Sequence, residues 1–280
     1  MRDPVRTIDR RVWRDGRLST GARSIPEETA VALTYNGGTY AVMMSTPLDL
    51  AEFAIGFSLN EGIVQTPEDI QSLDIVDLDD GIELRMWLAQ VDTDRLHERR
   101  RQMAGPTGCG ICGVDSIAEA LRPTAIVEGG QSFSSREIVA AIQAMPPLQS
   151  INIETRAVHA AAYFVPGRGI VALREDVGRH NALDKLAGAL ALAGILASDG
   201  MVLLTSRVSV EMVQKTAAMG ASVMVAVSAP TALAVRTAEA AGITLAAIAR
   251  SDGFEIFTHP ERIAADADSQ GTANADVVVA

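Results

Sequence analysis

Cysteine is nearly missing from this chain, with two residues in 280. So few thiols exclude a disulfide-stapled scaffold, and a chain of this length buries a sizeable core without one. Aromatic residues make up only 4%, whereas alanine is heavily used. Positive charge is outweighed: 24 Lys and Arg face 35 Asp and Glu, a formal net charge of −11. That balance argues against gripping nucleic acid by bulk charge, while leaving room for a local basic pocket around a small anion. No long hydrophobic run is present. The longest, around Leu186 to Ala197, is too short for a membrane span and is interrupted by Gly188 and Gly194. The arginine-rich start, MRDPVRTIDRRVWRDGR, has no apolar segment of the kind a secretory signal carries. The expectation is a cytoplasmic protein with neither membrane nor nucleic acid as partner. There a close thiol pair stays reduced and is reactive or metal-binding rather than structural. Neither GxGxxG nor a P-loop occurs, so an ordinary NAD or ATP site is not indicated.

What is present divides the chain. The first twenty-five residues or so are polar and read as a loose arm or an edge strand. Glu28 to Met44 reads as a hairpin around Asn36-Gly37-Gly38. Thr46 followed by Pro47 suggests a helix start, with Leu50, Phe53, Ala54 and Phe57 on one face and Glu61-Gly62 at its end. Strands near 70–78 and 82–88 complete a small α+β unit, taken as residues 1–105. Asp92 to Met103 is a charged crossover, and Ser116 with Glu119 has the form of a capping box. Farther on, strands at 169–173, 201–205, 222–227 and 243–249 alternate with helices at 181–196, 209–219 and 231–241. That alternation argues for βαβ units and a largely parallel sheet in an α/β domain over 106–263. Residues 264–280 read as a tail without order.

In such a sheet, ligands bind beyond the carboxyl ends of the strands. Those positions hold Arg174-Glu175-Asp176-Val177-Gly178-Arg179-His180-Asn181, Thr205-Ser206-Arg207-Val208-Ser209, Ser228-Ala229-Pro230-Thr231 and Arg250-Ser251-Asp252-Gly253. Together they suit a phosphate-bearing ligand, although each loop also reads as an ordinary helix cap. Asp184 follows His180 by four residues, on the same helix face. Glu211 and Lys215 form a similar pair, read as a solvated face. The two cysteines sit in Pro106-Thr107-Gly108-Cys109-Gly110-Ile111-Cys112-Gly113. Zinc needs four ligands, and His97, His159, His180 and His259 lack the usual second-pair spacing. A base deaminase needs H-x-E and P-C-x-x-C, but Pro106 is not adjacent to Cys109 and alanine follows His159. A thioredoxin-like pair would directly follow a strand, which this stretch does not. A thiolate that accepts one sulfur and hands it on is the remaining reading, with the glycines loosening the loop. The redox and zinc readings stay open beside it.

These segments, in order, resemble one family: the formate dehydrogenase accessory sulfurtransferases of the FdhD type. The likeness runs from about Ile25 to Arg262. It rests on STPLDLAEFAIGFSLNEGIV (Ser45 to Val64), CGICG (Cys109 to Gly113), REDVGRHNALDKL (Arg174 to Leu186), TSRVSVEMVQKTA (Thr205 to Ala217), SAPTALAV (Ser228 to Val235) and FTHPERI (Phe257 to Ile263). The resemblance implies a sulfurtransferase that accepts sulfur from a cysteine desulfurase as a persulfide. It would deliver that sulfur to the molybdenum cofactor in its bis(guanine dinucleotide) form, for a formate dehydrogenase client. It implies a cytidine-deaminase-like three-layer α/β domain behind a smaller N-terminal α+β domain, and a homodimer. It assigns the persulfide to Cys109, with Cys112 as an assisting thiol, no metal held directly by the protein, and cofactor contacts at Phe254, Glu255, Ile256, Phe257, Thr258 and His259. Ser206, Arg207, Ser228 and His180 join these from the polar loops. The alternative is a non-catalytic cofactor-binding chaperone or a CxxC redox sensor. One departure stands out. Where the family reads Thr-Gly-Gly-Thr-His-Ala-Ala, this chain has Thr155-Arg156-Ala157-Val158-His159-Ala160-Ala161, which puts a glycine-lined approach to the cofactor in doubt.

Overall fold

The structure, a computed structural model, describes residues 2–89 and 123–264. The cysteine loop, the crossover from Asp92, the Ser116 capping box, the 105/106 boundary and the tail beyond Ala264 lie outside the described residues.

The first described segment is neither a loose arm nor an edge strand. It is an antiparallel ribbon, β1 (Val5–Arg14) and β2 (Arg17–Pro26), paired from end to end and turned at Asp15-Gly16. β3 (Thr29–Tyr35) and β4 (Gly38–Ser45) form the expected hairpin. Asn36 and Gly37 between them both take positive φ, as a two-residue turn of matching twist requires. α1 (Leu50–Asn60) begins later than the sequence suggests, and Asp49 rather than Thr46 precedes it. Thr46 has other partners: its N–H donates to Asp176 Oδ2, and its hydroxyl accepts from the Val177 N–H. β5 (Ile70–Leu78) and β6 (Gly81–Leu88) finish a four-stranded sheet of order β4-β3-β6-β5, in which only β3 and β6 are parallel. Phe53 and Phe57 of α1 cover one face, packing on Val31, Leu33, Leu84 and Met86.

The second unit adds β7 (Phe133–Ser134), α2 (Ser135–Ala144), α3 (Ser150–Thr155), β8 (His159–Val165), β9 (Gly169–Asp176) and α4 (Arg179–Leu192). β10 (Met201–Leu204), α5 (Val210–Met219), β11 (Val223–Ala226), α6 (Ala232–Ala240), β12 (Thr244–Arg250), β13 (Gly253–Thr258) and β14 (Ile263–Ala264) follow. Ala264 pairs with Ser134, so it belongs to the fold and not to the tail. The six-stranded sheet has the order β13-β12-β11-β10-β8-β9. It is less parallel than the alternation implied, since only β10–β11 and β11–β12 run parallel. β8 and β9 form a hairpin, and β8 inserts antiparallel between β9 and β10. β12 and β13 form another hairpin. The architecture is three-layered. Leu183, Leu186, Met212, Val213 and Ala234 of α4, α5 and α6 pack on one sheet face, and Ile138, Ala141 and Ile142 of α2 on the other.

The two units meet where α1 crosses α4. A Cβ on Gly56 would stand 1.8 Å from the Asp184 carbonyl oxygen, and one on Gly188 would stand 1.9 Å from that of Glu52, so the helices touch backbone to backbone. Two buried polar clusters flank the crossing. Asp176 accepts from Lys185 Nζ (2.6 Å), the Ser45 hydroxyl (2.6 Å), the Thr46 N–H (3.0 Å), the Gly178 N–H (2.7 Å) and Asn181 Nδ2 (3.0 Å). Lys215 donates to Asp184 (2.9 and 3.0 Å) and Glu61 (3.0 Å), while Asn60 Nδ2 donates to Asp184 at 2.7 Å. Burial opposes the Lys215 charge, but Asp184 and Glu61 outweigh it and hold the ammonium above its ordinary value. The Glu211–Lys215 surface pair is therefore corrected. α5 is buried along nearly its whole length, and Lys215 points into the seam between units.

Candidate functional site

The antiparallel insertion of β8 gathers the polar residues. His159 opens β8 opposite Asp176 at the end of β9, and the Ala160 N–H donates to Thr205 Oγ1 just past β10. The carboxyl ends of β9 and β10 and the start of β8 therefore share one edge, with the first turns of α4 and α5 beside it. His180, in the first turn of α4, is 8% exposed, and its Nε2 lies 3.9 Å from Glu211 Oε2 in the first turn of α5. At that distance the contact is electrostatic. Among the described residues, neither His180 Nε2, nor the Ser209 hydroxyl, nor either Glu211 carboxylate oxygen makes a hydrogen bond. Burial pushes the Glu211 carboxyl up, but the adjacent His180 ring and Ser209 hydroxyl outweigh it and leave the group below its ordinary value. Burial, then Arg179 and His180, hold the His159 imidazole below its ordinary value. His159, His180 and Glu211 thus share this edge.

Both helices at this edge start without a side-chain cap. Gly178 precedes α4, and Ser209 precedes α5 with its hydroxyl unused. First-turn N–H groups left over in this way suit an anion's oxygens. Glu211 makes the α5 start the less hospitable of the two. Thr231 differs, because its Oγ1 accepts from the Ala234 N–H and acts as a plain cap for α6. Arg250 is likewise structural, its guanidinium donating to the Val227 and Ala249 carbonyls. Ser206 is buried and donates to the Arg207 carbonyl, while the Arg207 side chain is exposed at the edge. Ser228 lies two residues past β11, and its carbonyl accepts from the Ile248 N–H. Ile248 has φ of 54°, an outlier for a β-branched residue, at a bulge in β12.

The remaining expected residues are not gathered there. β13 runs antiparallel to β12, so Phe254 starts near the carboxyl edge while Thr258 and His259 reach the amino edge. Phe254 and Phe257 pack on opposite faces of the sheet, and Glu255 and Ile256 are exposed. Thr258 is buried, accepting from the Leu245 N–H and donating to the Ile243 carbonyl. His259, at φ of 47°, bonds the Glu239 carbonyl through Nε2 (2.9 Å) and Glu261 through Nδ1 (3.1 Å). The Glu239 carbonyl, then the Glu261 side chain, raise its pKa despite slight burial. Cys109 and Cys112 lie outside the described residues. A cleft of about 680 Å³, lined by Leu59, Val64, Leu190, Gln214 and Met219, opens at the far end of α4 from His180.

The sequence reading names Ser209, Glu211 and Arg156 but not the positions the structure gives them: Ser209 and Glu211 stand beside His180 at the sheet edge, and Arg156 caps a helix. Arg156 sits where the resembled family has glycine, and it takes φ of 58° as the left-handed C-cap of α3, its N–H donating to the Asn152 carbonyl. A glycine would take that conformation without strain, so arginine at this cap costs stability.

Comparison with known proteins supplies the lineage. Residues 26–264 match the model of the FdhD/NarQ family. The chain is 51% identical to the sulfur carrier protein FdhD of Agrobacterium fabrum over 259 residues, which is 92% of this chain and 96% of that protein. It is 52% identical to the protein of the same name from Brucella abortus, covering 86% of this chain and 90% of that one. A crystal structure from Desulfotalea psychrophila, named for a role as a formate dehydrogenase accessory protein, superposes with a TM-score of 0.72 at 24% identity, covering 94% of this chain and all of that one. That superposition shows a shared fold. The family match and the half-identical relatives go further: this chain belongs to the FdhD/NarQ family.

Proposed function

We propose that this protein carries sulfur for the maturation of formate dehydrogenase or a related molybdoenzyme. The observation that carries the reading is the near-full-length identity of about one half to proteins named sulfur carriers, combined with a single CxxC in a glycine-rich stretch. The Cys109 thiolate attacks the outer sulfur of a cysteine desulfurase persulfide. A new S–S bond forms on Cys109 as the donor's S–S bond breaks, and the donor leaves as its thiolate, with no external oxidant needed. Cys112 assists. The acceptor is the molybdenum cofactor in its bis(guanine dinucleotide) form, a substrate of the transfer and not a resident group. The uncapped start of α4 with Arg179, His180, Ser206 and Arg207 supports binding of its phosphates, and Ser228 and Phe254 to His259 extend the proposed contacts along β13. We also infer a likeness of the larger unit to cytidine deaminases, a cytoplasmic location and a two-copy assembly.

Intact mass after incubation with a cysteine desulfurase and cysteine tests the reading. One added sulfur that vanishes in Cys109→Ser is expected. Sulfur delivery that survives in Cys109→Ser would favour a cofactor-binding chaperone or a redox sensor, and no thiol-dependent addition at all would refute the carrier role.

A further inference from the structure

We propose that His180 donates a proton in the onward transfer of sulfur, and that Glu211 is the positioning residue that keeps its imidazole charged and aligned. The inference rests on the sulfur-carrier reading with the molybdenum cofactor as acceptor, and assigns that transfer its acid.

Four polar atoms meet where α4 and α5 begin. They are His180 Nε2, the Ser209 hydroxyl and both Glu211 carboxylate oxygens, all closed to water and, among the described residues, without a hydrogen bond. The same helices show how this fold treats a buried acid that only holds it together. Asp176 accepts from five donors, and Asp184 from Lys215 and Asn60. An unbonded buried carboxylate is costly for a fold, which sets Glu211 apart from the seam acids. Burial raises its carboxyl, yet the adjacent His180 ring and Ser209 hydroxyl outweigh that and keep it ionised. The ring and the carboxylate stand 3.9 Å apart. Closing that gap by about 1 Å gives a charge-assisted hydrogen bond of ordinary length. His180 keeps 8% of its surface open, so the ring reaches both the buried acid and the edge proposed for the acceptor.

The charges around the ring leave Glu211 to favour the imidazolium. His159 lies near it on β8 with Asp176 opposite at the end of β9, and Arg179 is its neighbour on α4. Arg179 disfavours a charge on the ring, and Asp176 is taken up by Lys185 and its other donors. Glu211 comes from α5 with both oxygens unused. The transfer needs such an acid. A thiol, Cys112 or a small reductant, attacks Cys109 Sγ of the persulfide anion. The bond to the outer sulfur breaks and a disulfide to Cys109 forms. The outer sulfur leaves as hydrosulfide, carrying the thiol's proton and the two electrons that the thiols give up. Hydrosulfide then replaces an oxygen on the acceptor's molybdenum, whose oxidation state does not change. That oxygen leaves as water with two protons, one from the hydrosulfide and one from His180 Nδ1. Glu211 holds the Nε2–H throughout, and solvent returns the proton to Nδ1.

A pH profile separates an acid from a structural neighbour. Full-length protein holding the molybdenum cofactor is loaded with radioactive sulfur by a cysteine desulfurase. A thiol reductant starts the turnover, and label that leaves with the cofactor on denaturation is measured against time. The wild-type rate should fall along one limb as pH rises, because the imidazolium is the acid. His180→Gln should load normally, transfer about a hundredfold or more slowly at neutral pH, and lose the limb. An opposite charge within about 4–6 Å moves a titration by about 1–3 pH units. Glu211→Gln should therefore shift the limb lower by about one pH unit or more, slow transfer about tenfold or more at neutral pH, and regain the wild-type rate in acid. Acid would not cure structural damage. Glu211→Gln also keeps the side chain's size, so it carries the test even if His180→Gln folds poorly. A wild-type profile without a limb, or a Glu211→Gln limb at the wild-type position, would overturn the acid and leave the carrier reading standing. Label that loads on Cys109 but never reaches the cofactor in the wild type would overturn the acceptor reading and the acid with it.

Discussion

Replacing Gly188 by alanine should destabilise this protein, against the usual sign. In a helix interior alanine is favoured over glycine by roughly 1 kcal/mol, so α4 alone would gain from the change. The crossing with α1 reverses that. The new Cβ would stand 1.9 Å from the Glu52 carbonyl oxygen, a backbone atom that cannot rotate away. An ordinary carbon–oxygen approach is about 3.3 Å, so the two helices must part by more than an ångström. The bonds that span the crossing have no such slack. Asn60 to Asp184 at 2.7 Å, Lys185 to the Thr46 carbonyl at 2.8 Å and Lys215 to Glu61 at 3.0 Å would all stretch toward or beyond hydrogen-bonding range. Overpacking costs about 1–3 kcal/mol, and stripping partners from a buried ion pair about 3–5 kcal/mol. After the propensity gain, a net loss of at least about 3 kcal/mol is expected, which lowers Tm by roughly 6–12 °C in a chain of this size. Urea and thermal unfolding followed by circular dichroism would measure it. Gly21→Ala, in the ribbon with nothing within 4 Å of its Cβ, is the control that should change little. A Gly188→Ala protein as stable as the wild type would refute the backbone contact. Gly56→Ala should repeat the loss, because its Cβ would meet the Asp184 carbonyl oxygen at 1.8 Å.

Two histidines should titrate on opposite sides of the ordinary value of 6.5, His259 above it and His159 below it. The stability that His259 contributes is present below its unfolded-state pKa and lost as pH rises through the raised folded value, so His259→Gln should flatten that part of the pH profile. For His159 the sign inverts: stability is intact above the unfolded-state value and falls as pH drops toward the depressed folded one. NMR titration of the two rings checks both, and coincident titration would contradict the assignments. Glu211→Gln keeps the side chain's size but removes the charge facing His180. It should leave sulfur loading on Cys109 intact and lower onward transfer at least about tenfold, with Tm changed by no more than about 2 °C. Unchanged transfer would remove the Glu211–His180 pair from the site.

Local chemistry made much of this fold legible. Asn36-Gly37 announced its hairpin because few residues accept two successive positive φ angles, and Gly62 marked the end of α1 because the positive φ there favours glycine. The strands of the second unit were legible as short apolar runs. Which strand pairs with which was not, since β8 reads like its neighbours and its antiparallel insertion depends on contacts far apart in sequence. Thr46 looked like a helix cap because the competing acceptor, Asp176, lies 130 residues away. The Glu211–Lys215 spacing was correct for a helix surface, but α5 has little exposed surface, and the partners of Lys215 come from α1 and α4.

The same logic explains why one motif serves two purposes. Arg174 to Lys185 reads as a dense polar helix start, open between a surface face with one ion pair and a ligand site. The structure divides its residues by direction. Asp176, Asn181, Asp184 and Lys185 turn inward to the seam with the first unit, whereas Arg179 and His180 lie at the sheet edge. Burying so many charged groups contributes little net stability, since desolvation offsets most of the attraction. What such clusters supply is register. A carboxylate with five donors in fixed positions, as on Asp176, accepts one arrangement of the two units and penalises its neighbours. Because His180 lies about one helical turn from Asp184 and Lys185 on α4, a shift that breaks the seam also moves His180 relative to Glu211. The polar edge is therefore held in place by the interface, and substitutions in the seam should impair sulfur delivery even where they touch no ligand.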